Sequence, residues 1–198
     1  MGLDLAYING QTPLDDDEKE SLLIPTIATR EELDEFEQNN IEDVIQWILS
    51  KSFKREVILT EKFIQNLHNR MYGDVWAWAG KFRKTDKNLG IDKWQIPTAL
   101  KNLCDDTLFW MQNETFTPDE IAILFKHQIV SIHCFVNGNG RHSRLMADII
   151  ISKVYKKPLF SWGSNDLVRQ GTTRAAYLNA VRAADIGDFT LLLAFARS

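Results

Sequence analysis

The chain has 198 residues, a formal net charge of −4, and 44% hydrophobic with 25% charged residues. That length suits one hydrophobic core rather than two, no apolar run reaches the ~20 residues of a membrane span, and the acidic balance argues against direct nucleic-acid binding. The two cysteines, Cys104 and Cys134, make neither a disulfide framework nor a metal-ligand spacing, and Met1 to Ala6 shows no basic stretch leading into an apolar run, so a cytoplasmic protein without membrane association is expected.

Residues 1–28 read as an N-terminal arm, acidic around Asp15-Asp16-Asp17-Glu18 and apolar at Leu22, Leu23 and Ile24 before Pro25, laid on a body spanning 29–198. Thr29 and Glu32 form a capping box that opens a helix carrying Leu33, Phe36, Glu37, Ile41, Val44 and Ile48. A second helix starts at Thr60 and carries Phe63, Ile64, Leu67 and Met71 toward Trp76 and Trp78. Gly80 breaks that pattern. Residues 82–96 mix Phe82, Arg83, Ile91, Trp94 and Ile96 around a turn at Asp86-Lys87-Asn88-Leu89-Gly90, which predicts a β-hairpin.

Pro97-Thr98 opens a third helix with Leu100, Leu103, Cys104, Leu108 and Trp110 at core spacing. Thr117-Pro118-Asp119-Glu120 is the clearest helix start, combining a cap, a first-turn proline and acids at the positive dipole end. That helix runs through Ile121, Leu124, Phe125, Ile129 and Ile132 and delivers His133 at its end. A further helix covers about 139–156 until Lys156-Lys157-Pro158, and short helices are expected over 164–170, 173–184 and 188–197. The fold class is therefore all-α, with one small hairpin.

The chemistry gathers in His133-Cys134-Phe135-Val136-Asn137-Gly138-Asn139-Gly140-Arg141-His142-Ser143-Arg144. Gly138 and Gly140 free the backbone at a helix N-terminus, where unpaired N–H groups and the macrodipole attract anions. Arg141 and Arg144, three apart, share a helix face and can fork onto phosphate oxygens, while His133 has the ordinary pKa suited to proton removal near neutrality. His127, His133 and His142 lack the spacing of a metal site.

This segment resembles the signature of the Fic (Fic/Doc) family, His-Pro-Phe-x-Asp/Glu-Gly-Asn-Gly-Arg-x-x-Arg. The match holds at His133, Phe135, Gly138, Asn139, Gly140, Arg141 and Arg144, and departs at Cys134, where proline is usual, and at Asn137, where an acid is usual. Leu23-Ile24-Pro25, Glu37-Gln38-Asn39-Asn40-Ile41 and Trp78-Ala79-Gly80-Lys81-Phe82-Arg83 resemble the small single-domain branch labelled mobile mystery protein B.

The resemblance implies a Fic-type domain over 29–198, with signature loop 133–144, that transfers AMP from ATP to a Ser, Thr or Tyr hydroxyl of a target protein. His133 would be the general base, and Gly138, Asn139, Gly140, Arg141 and Arg144 would hold the phosphates. The segment around 82–96, with Phe82, Arg83, Ile91 and Trp94, would be the flap that docks the target by β-augmentation. Position 137 would hold Mg²⁺ or Mn²⁺, and Asn137, a neutral amide, would do so weakly.

Many family members carry an inhibitory helix whose glutamate pairs with the second signature arginine. Glu37, in Leu33-Asp34-Glu35-Phe36-Glu37-Gln38-Asn39, is the candidate here, against the alternative of a solvated helix carboxylate. The branch is typically paired with a helix-turn-helix protein, so an antitoxin-like partner is also expected. The other readings are a Doc-like phosphotransferase, transfer of another phosphate-linked group, and a degenerate nucleotide-binding toxin–antitoxin module.

Overall fold

A computed structural model describes residues 12–164, 167 and 171–198, and everything below refers to these. In chain order the helices are α1 (Asp16–Lys19), α2 (Arg30–Ser50), α3 (Arg55–Ile58), α4 (Glu61–Tyr72), α5 (Ile96–Asn113), α6 (Pro118–Ile132), α7 (Asn139–Ile149), α8 (Thr172–Asp185) and α9 (Thr190–Arg197). The helix starts legible in the sequence are built from the expected groups. Thr29 and Glu32 close a reciprocal capping box on α2, Thr117 and Glu120 do so on α6, and the Thr60 hydroxyl accepts from the Phe63 N–H on α4.

The centre of the molecule is the antiparallel pair α6 and α7, flanked by α5 on one side and α4 on the other, with α2 packed on α4 and α8 on α9. Ile64, Leu67 and Met71 of α4, Leu100 and Leu103 of α5, Ile121, Phe125 and Ile129 of α6, and Met146 and Ile149 of α7 are buried in one continuous core. Burying each such side chain contributes roughly 1.5–3 kcal/mol, so the α6–α7 junction is held by the best-packed part of the protein. The helix expected over 139–156 ends as an α-helix at Ile149 and continues as a π-turn, Ile150–Val154, where the Ser152 hydroxyl donates to the Asp148 carbonyl at 2.6 Å. The helix expected over 164–170 falls largely outside the described residues.

The hairpin expected over 82–96 does not form. Phe82 makes an isolated antiparallel bridge to Phe135, and the chain then runs as a bent loop into a 3-10 turn at Lys93–Gln95 and on to α5. The reason is Arg83, whose side chain is fully buried inside the loop. Its guanidinium donates to the carbonyls of His133 at 2.7 Å and Thr85 at 2.9 Å, and also to that of Ile91. Acceptors that a hairpin ladder would have used are occupied by a charged side chain, and the loop wraps round it.

The arm lies across this loop. Leu22 bridges Trp76, the Leu23 N–H donates to the Val75 carbonyl at 2.8 Å, and Lys87 reaches from the loop to Asp15 at 2.8 Å and Glu18 at 2.5 Å. Arg83→Lys keeps the charge but cannot fork onto those carbonyls. It should lower stability by about 1–3 kcal/mol, read from the shift of the urea unfolding midpoint at unchanged slope.

Candidate active site

His133 is the C-cap of α6 and takes a left-handed backbone conformation, φ 57° and ψ 60°, which costs a non-glycine residue about 1–3 kcal/mol. The turn that follows is held by Asn139. Its amide oxygen accepts from the Phe135 N–H at 3.0 Å and its amide nitrogen donates to the Phe135 carbonyl at 2.8 Å. Phe135, fully buried, stacks on His68 at 3.7 Å between ring centroids, and His68 Nε2 lies 3.0 Å from the Asn137 carbonyl. Gly138 then caps α7 with φ 76°, and a Cβ there would meet the Tyr72 ring at 2.5 Å, so both conformation and space demand glycine. Gly90 of the loop is equally constrained, at φ 98° with His133 Cβ 2.5 Å from where its own Cβ would stand.

These elements surround a cavity of about 590 Å³, within the range of small-molecule sites. His133, Gly138, Asn139, Gly140, Arg141 and Arg144 all line it, as do Lys126 of α6 and Tyr177 of α8. The first-turn N–H groups of Asn139, Gly140 and Arg141 have no acceptor within α7, and a Cβ at Gly140 would meet only Arg144 Nη1, at 3.9 Å. The Gly138 N–H, expected to join them, is instead bonded to Asn137 Oδ1 at 2.6 Å.

Asn137 also departs from expectation. With Oδ1 on the Gly138 N–H and Nδ2 donating to the Thr12 carbonyl at 3.1 Å, its amide is engaged by the loop and the arm and offers a cation only a neutral oxygen that already accepts one hydrogen bond. Among the described residues no group of His, Cys, Asp or Glu stands together as a metal site. The donor set here does not fit a divalent cation held by the protein.

Glu37 is buried rather than solvated. One carboxylate oxygen accepts from Trp76 Nε1 at 2.7 Å, and the other meets Arg141 Nη2 at 2.5 Å. The resemblance implies a pairing with the second signature arginine; the structure places Glu37 on the first. The cause is position, because Arg141 lies over the Tyr72 ring at 5.0 Å toward α4 and α2, while Arg144 points toward α8 and lies 5.3 Å from the Tyr177 ring centroid. Burial works against the Arg141 charge and the Glu37 carboxylate more than offsets it, so its proton is held more tightly than usual.

Sequence reasoning missed Lys126, whereas Tyr177 lies in a segment that the sequence offers either for stacking on a purine or for packing. Lys126 is fully buried with its ammonium 4.8 Å from the Tyr177 ring centroid. Burial pushes the Tyr177 phenol up, and Lys126 and Arg144 together pull it down further, to about 8. A lysine within the apolar rhythm of α6 was the available signal, since a buried lysine requires a counter-charge or a ligand. Of the flap residues, Phe82 and Ile91 are half-buried, Arg83 is internal and Trp94 is 81% exposed.

Burial of the His133 imidazole, with the Arg83 and Lys87 charges, lowers its pKa to about 4. The ring is therefore neutral at physiological pH. The backbone contact with Val130 acts in the opposite sense and is outweighed.

The central helix pair thus presents a neutral imidazole, a glycine turn and paired arginines to one cavity. Residues 58–151 match the family model described as "Fic/DOC family". The chain is 27% identical over 157 residues to "Protein adenylyltransferase Fic" of Drosophila grimshawi, covering 77% of this chain and 31% of that protein. It is 27% identical over 129 residues to "Protein adenylyltransferase fic-1" of Caenorhabditis elegans, covering 63% and 24%. It thus spans about a third or less of the length of these relatives.

Among solved structures, the Fic-1 fragment of C. elegans superposes with a TM-score of 0.64 at 21% identity, over 90% of this chain and 50% of that one. The BepC protein of Bartonella tribocorum, solved with bound AMPPNP, superposes with a TM-score of 0.68 at 14% identity, over 92% and 97%. Both likenesses show the fold.

The buried histidines also set the acid response. His133 and His142 titrate at about 4 and His68 well below its usual value, in each case chiefly through burial. Between about pH 6.5 and 4 the unfolded chain binds protons at these sites that the folded chain refuses, so stability falls as pH falls. Asp148, raised to about 6 by burial, acts in the opposite sense over the lower part of that range. Unfolding midpoints measured from pH 7 to pH 4.5 should decline, and His142→Gln should flatten the decline.

Proposed function

We propose that this protein is a protein adenylyltransferase that moves AMP from ATP to a Ser, Thr or Tyr hydroxyl of a target protein. The observation that carries this reading is the convergence, in one cavity, of an unprotonated His133 with the open N-terminus of α7 and both signature arginines. The adenylyltransferase names of the relatives support it.

His133 Nε2 takes the proton of the attacking hydroxyl as its oxygen bonds to the α-phosphorus, and the bond from that phosphorus to the bridging oxygen breaks to release pyrophosphate. The N–H groups of Asn139, Gly140 and Arg141 hold phosphate oxygens at the positive end of α7, where preorganised donors are most effective. Arg144, with Lys126 behind it, holds the terminal phosphate, and Arg141 neutralises the leaving pyrophosphate. Any Mg²⁺ or Mn²⁺ that accompanies ATP is held by the phosphates and water rather than by Asn137, and no step is assigned to it.

Arg141 serves that role only when released from Glu37. Glu37 is thus the inhibitory group, acting on the first arginine of the signature with Trp76 fixing its carboxylate. The exposed Trp94 belongs to the target-docking face. The motifs at 23–25, 37–41 and 78–83 support assignment to the mobile mystery protein B branch, and with it a helix-turn-helix antitoxin-like partner and a cytoplasmic setting.

Intact-mass spectrometry with ATP and Mg²⁺, using a cell lysate as target source, tests this. His133→Ala should reduce AMP transfer by about 10²–10⁴-fold, the worth of a positioned general base. Glu37→Gly should raise transfer by about 5–150-fold, the range of a 1–3 kcal/mol coupling, while lowering the melting temperature because a buried ion pair is broken. An added phosphate in place of AMP would assign Doc-like chemistry. Nucleotide binding with no adduct in any variant would leave a binding module.

A further inference from the structure

The place where a target hydroxyl must stand is already filled by the chain itself. Thr12 is buried, it lines the cavity, and its Oγ1 lies 3.2 Å from His133 Nε2. In the tautomer that leaves Nε2 unprotonated, the hydroxyl is the donor. Asn137 Nδ2 holds the Thr12 carbonyl at 3.1 Å, so the residue is fixed at its backbone and at its side chain by opposite sides of the signature loop.

The segment behind Thr12 is anchored as well. Leu14 is buried, and Asp15 and Glu18 close a capping box on α1 while both engage Lys87. Thr85 Oγ1 and Trp78 Nε1 donate to Glu18 Oε1 at 3.2 Å and to its carbonyl at 3.3 Å. Further along, the Ala77 N–H donates to the Ser21 carbonyl at 3.0 Å. The described part of the arm is therefore strapped to the loop through Asp15 and Glu18 and to residues 75–78 through Glu18 and Ser21–Leu23, and that strapping directs Thr12 onto the base. A structural threonine capping a buried histidine needs none of the surrounding phosphate machinery; this one faces it.

We propose that Thr12 is an intramolecular acceptor, a modification site that receives AMP from ATP bound in its own cavity. The inference rests on the adenylyl-transfer reading above. In the step, Thr12 Oγ1 bonds to the α-phosphorus, the bond to the α–β bridging oxygen breaks, pyrophosphate departs, and the hydroxyl proton passes to His133 Nε2 and then to solvent. The product is a phosphodiester between Thr12 and AMP. Because the arm occupies the position of any other acceptor, Thr12 and a target protein compete for one site, and the reaction on Thr12 runs once per chain.

The test is peptide mapping of the full chain after incubation with ATP and Mg²⁺, in wild type and Glu37→Gly, each with and without Thr12→Ala or Thr12→Ser, and alongside cell lysate proteins. The expected result is AMP on the peptide containing Thr12, at most one per chain, with a first-order rate that does not change over a hundredfold range of protein concentration. Thr12→Ser should keep the adduct, Thr12→Ala should lose it and increase labelling of lysate proteins, and His133→Ala should lose all labelling. AMP on other residues or on lysate proteins with Thr12 unmodified would overturn the inference and leave the transferase reading intact. Labelling of Thr12 whose rate rises with protein concentration would overturn the intramolecular claim. Absence of AMP from every protein in every variant would overturn both.

Discussion

Everything in the site depends on the pair of hydrogen bonds between the Asn139 amide and the backbone of Phe135. They close the turn between α6 and α7, which makes His133 the end of one helix and Gly138 the beginning of the next. The strained backbone at His133 survives because the turn beyond it has no alternative geometry: Phe135 is packed on His68, Gly138 on Tyr72, and Arg83 grips the His133 carbonyl. The imidazole and the anion-binding helix end are thereby held on the same wall of a cavity.

That wall carries more positive charge than a chain of net charge −4 would suggest. Arg141, Arg144 and Lys126 enter the cavity from α6 and α7, and the positive end of α7 adds to them. Such groups are costly to bury unpaired, and the fold compensates each by a different device. Arg141 takes the Glu37 carboxylate and the Tyr72 ring, while Arg144 and Lys126 share Tyr177, whose phenol is easier to ionise as a result. The Arg141–Glu37–Trp76 chain ties α2 to the cavity wall.

Access is governed by a second layer built on Arg83 and Lys87. Arg83 turns the segment before α5 into a loop that covers the base, and Lys87 fastens the acidic arm to that loop. Within the acidic run at 15–18, Asp15 and Glu18 act as a clamp on Lys87, while Asp16 and Asp17 face solvent. Any ligand that reaches His133 from this side must displace Thr12, which is held by His133 and Asn137.

The helices, their capping threonines and the signature stretch were legible in the sequence because their causes are local. A capping box needs residues three apart, an amphipathic face needs neighbours within a turn, and a glycine turn at a helix start needs only its own backbone. Long-range partners were not legible, because no short-range rule says which carbonyls a buried arginine will take or which arginine a glutamate will reach. Arg83 prevented the expected hairpin by occupying acceptors as distant in sequence as His133. Glu37 met Arg141 instead of Arg144 because α2 packs on α4, on the Tyr72 side of α7. The sequence by itself determined the all-helical architecture and the chemistry of the signature turn. Only the tertiary structure decided what that chemistry faces, since the contacts of Glu37, Lys87, Asn137 and Thr12 arise where separate elements meet.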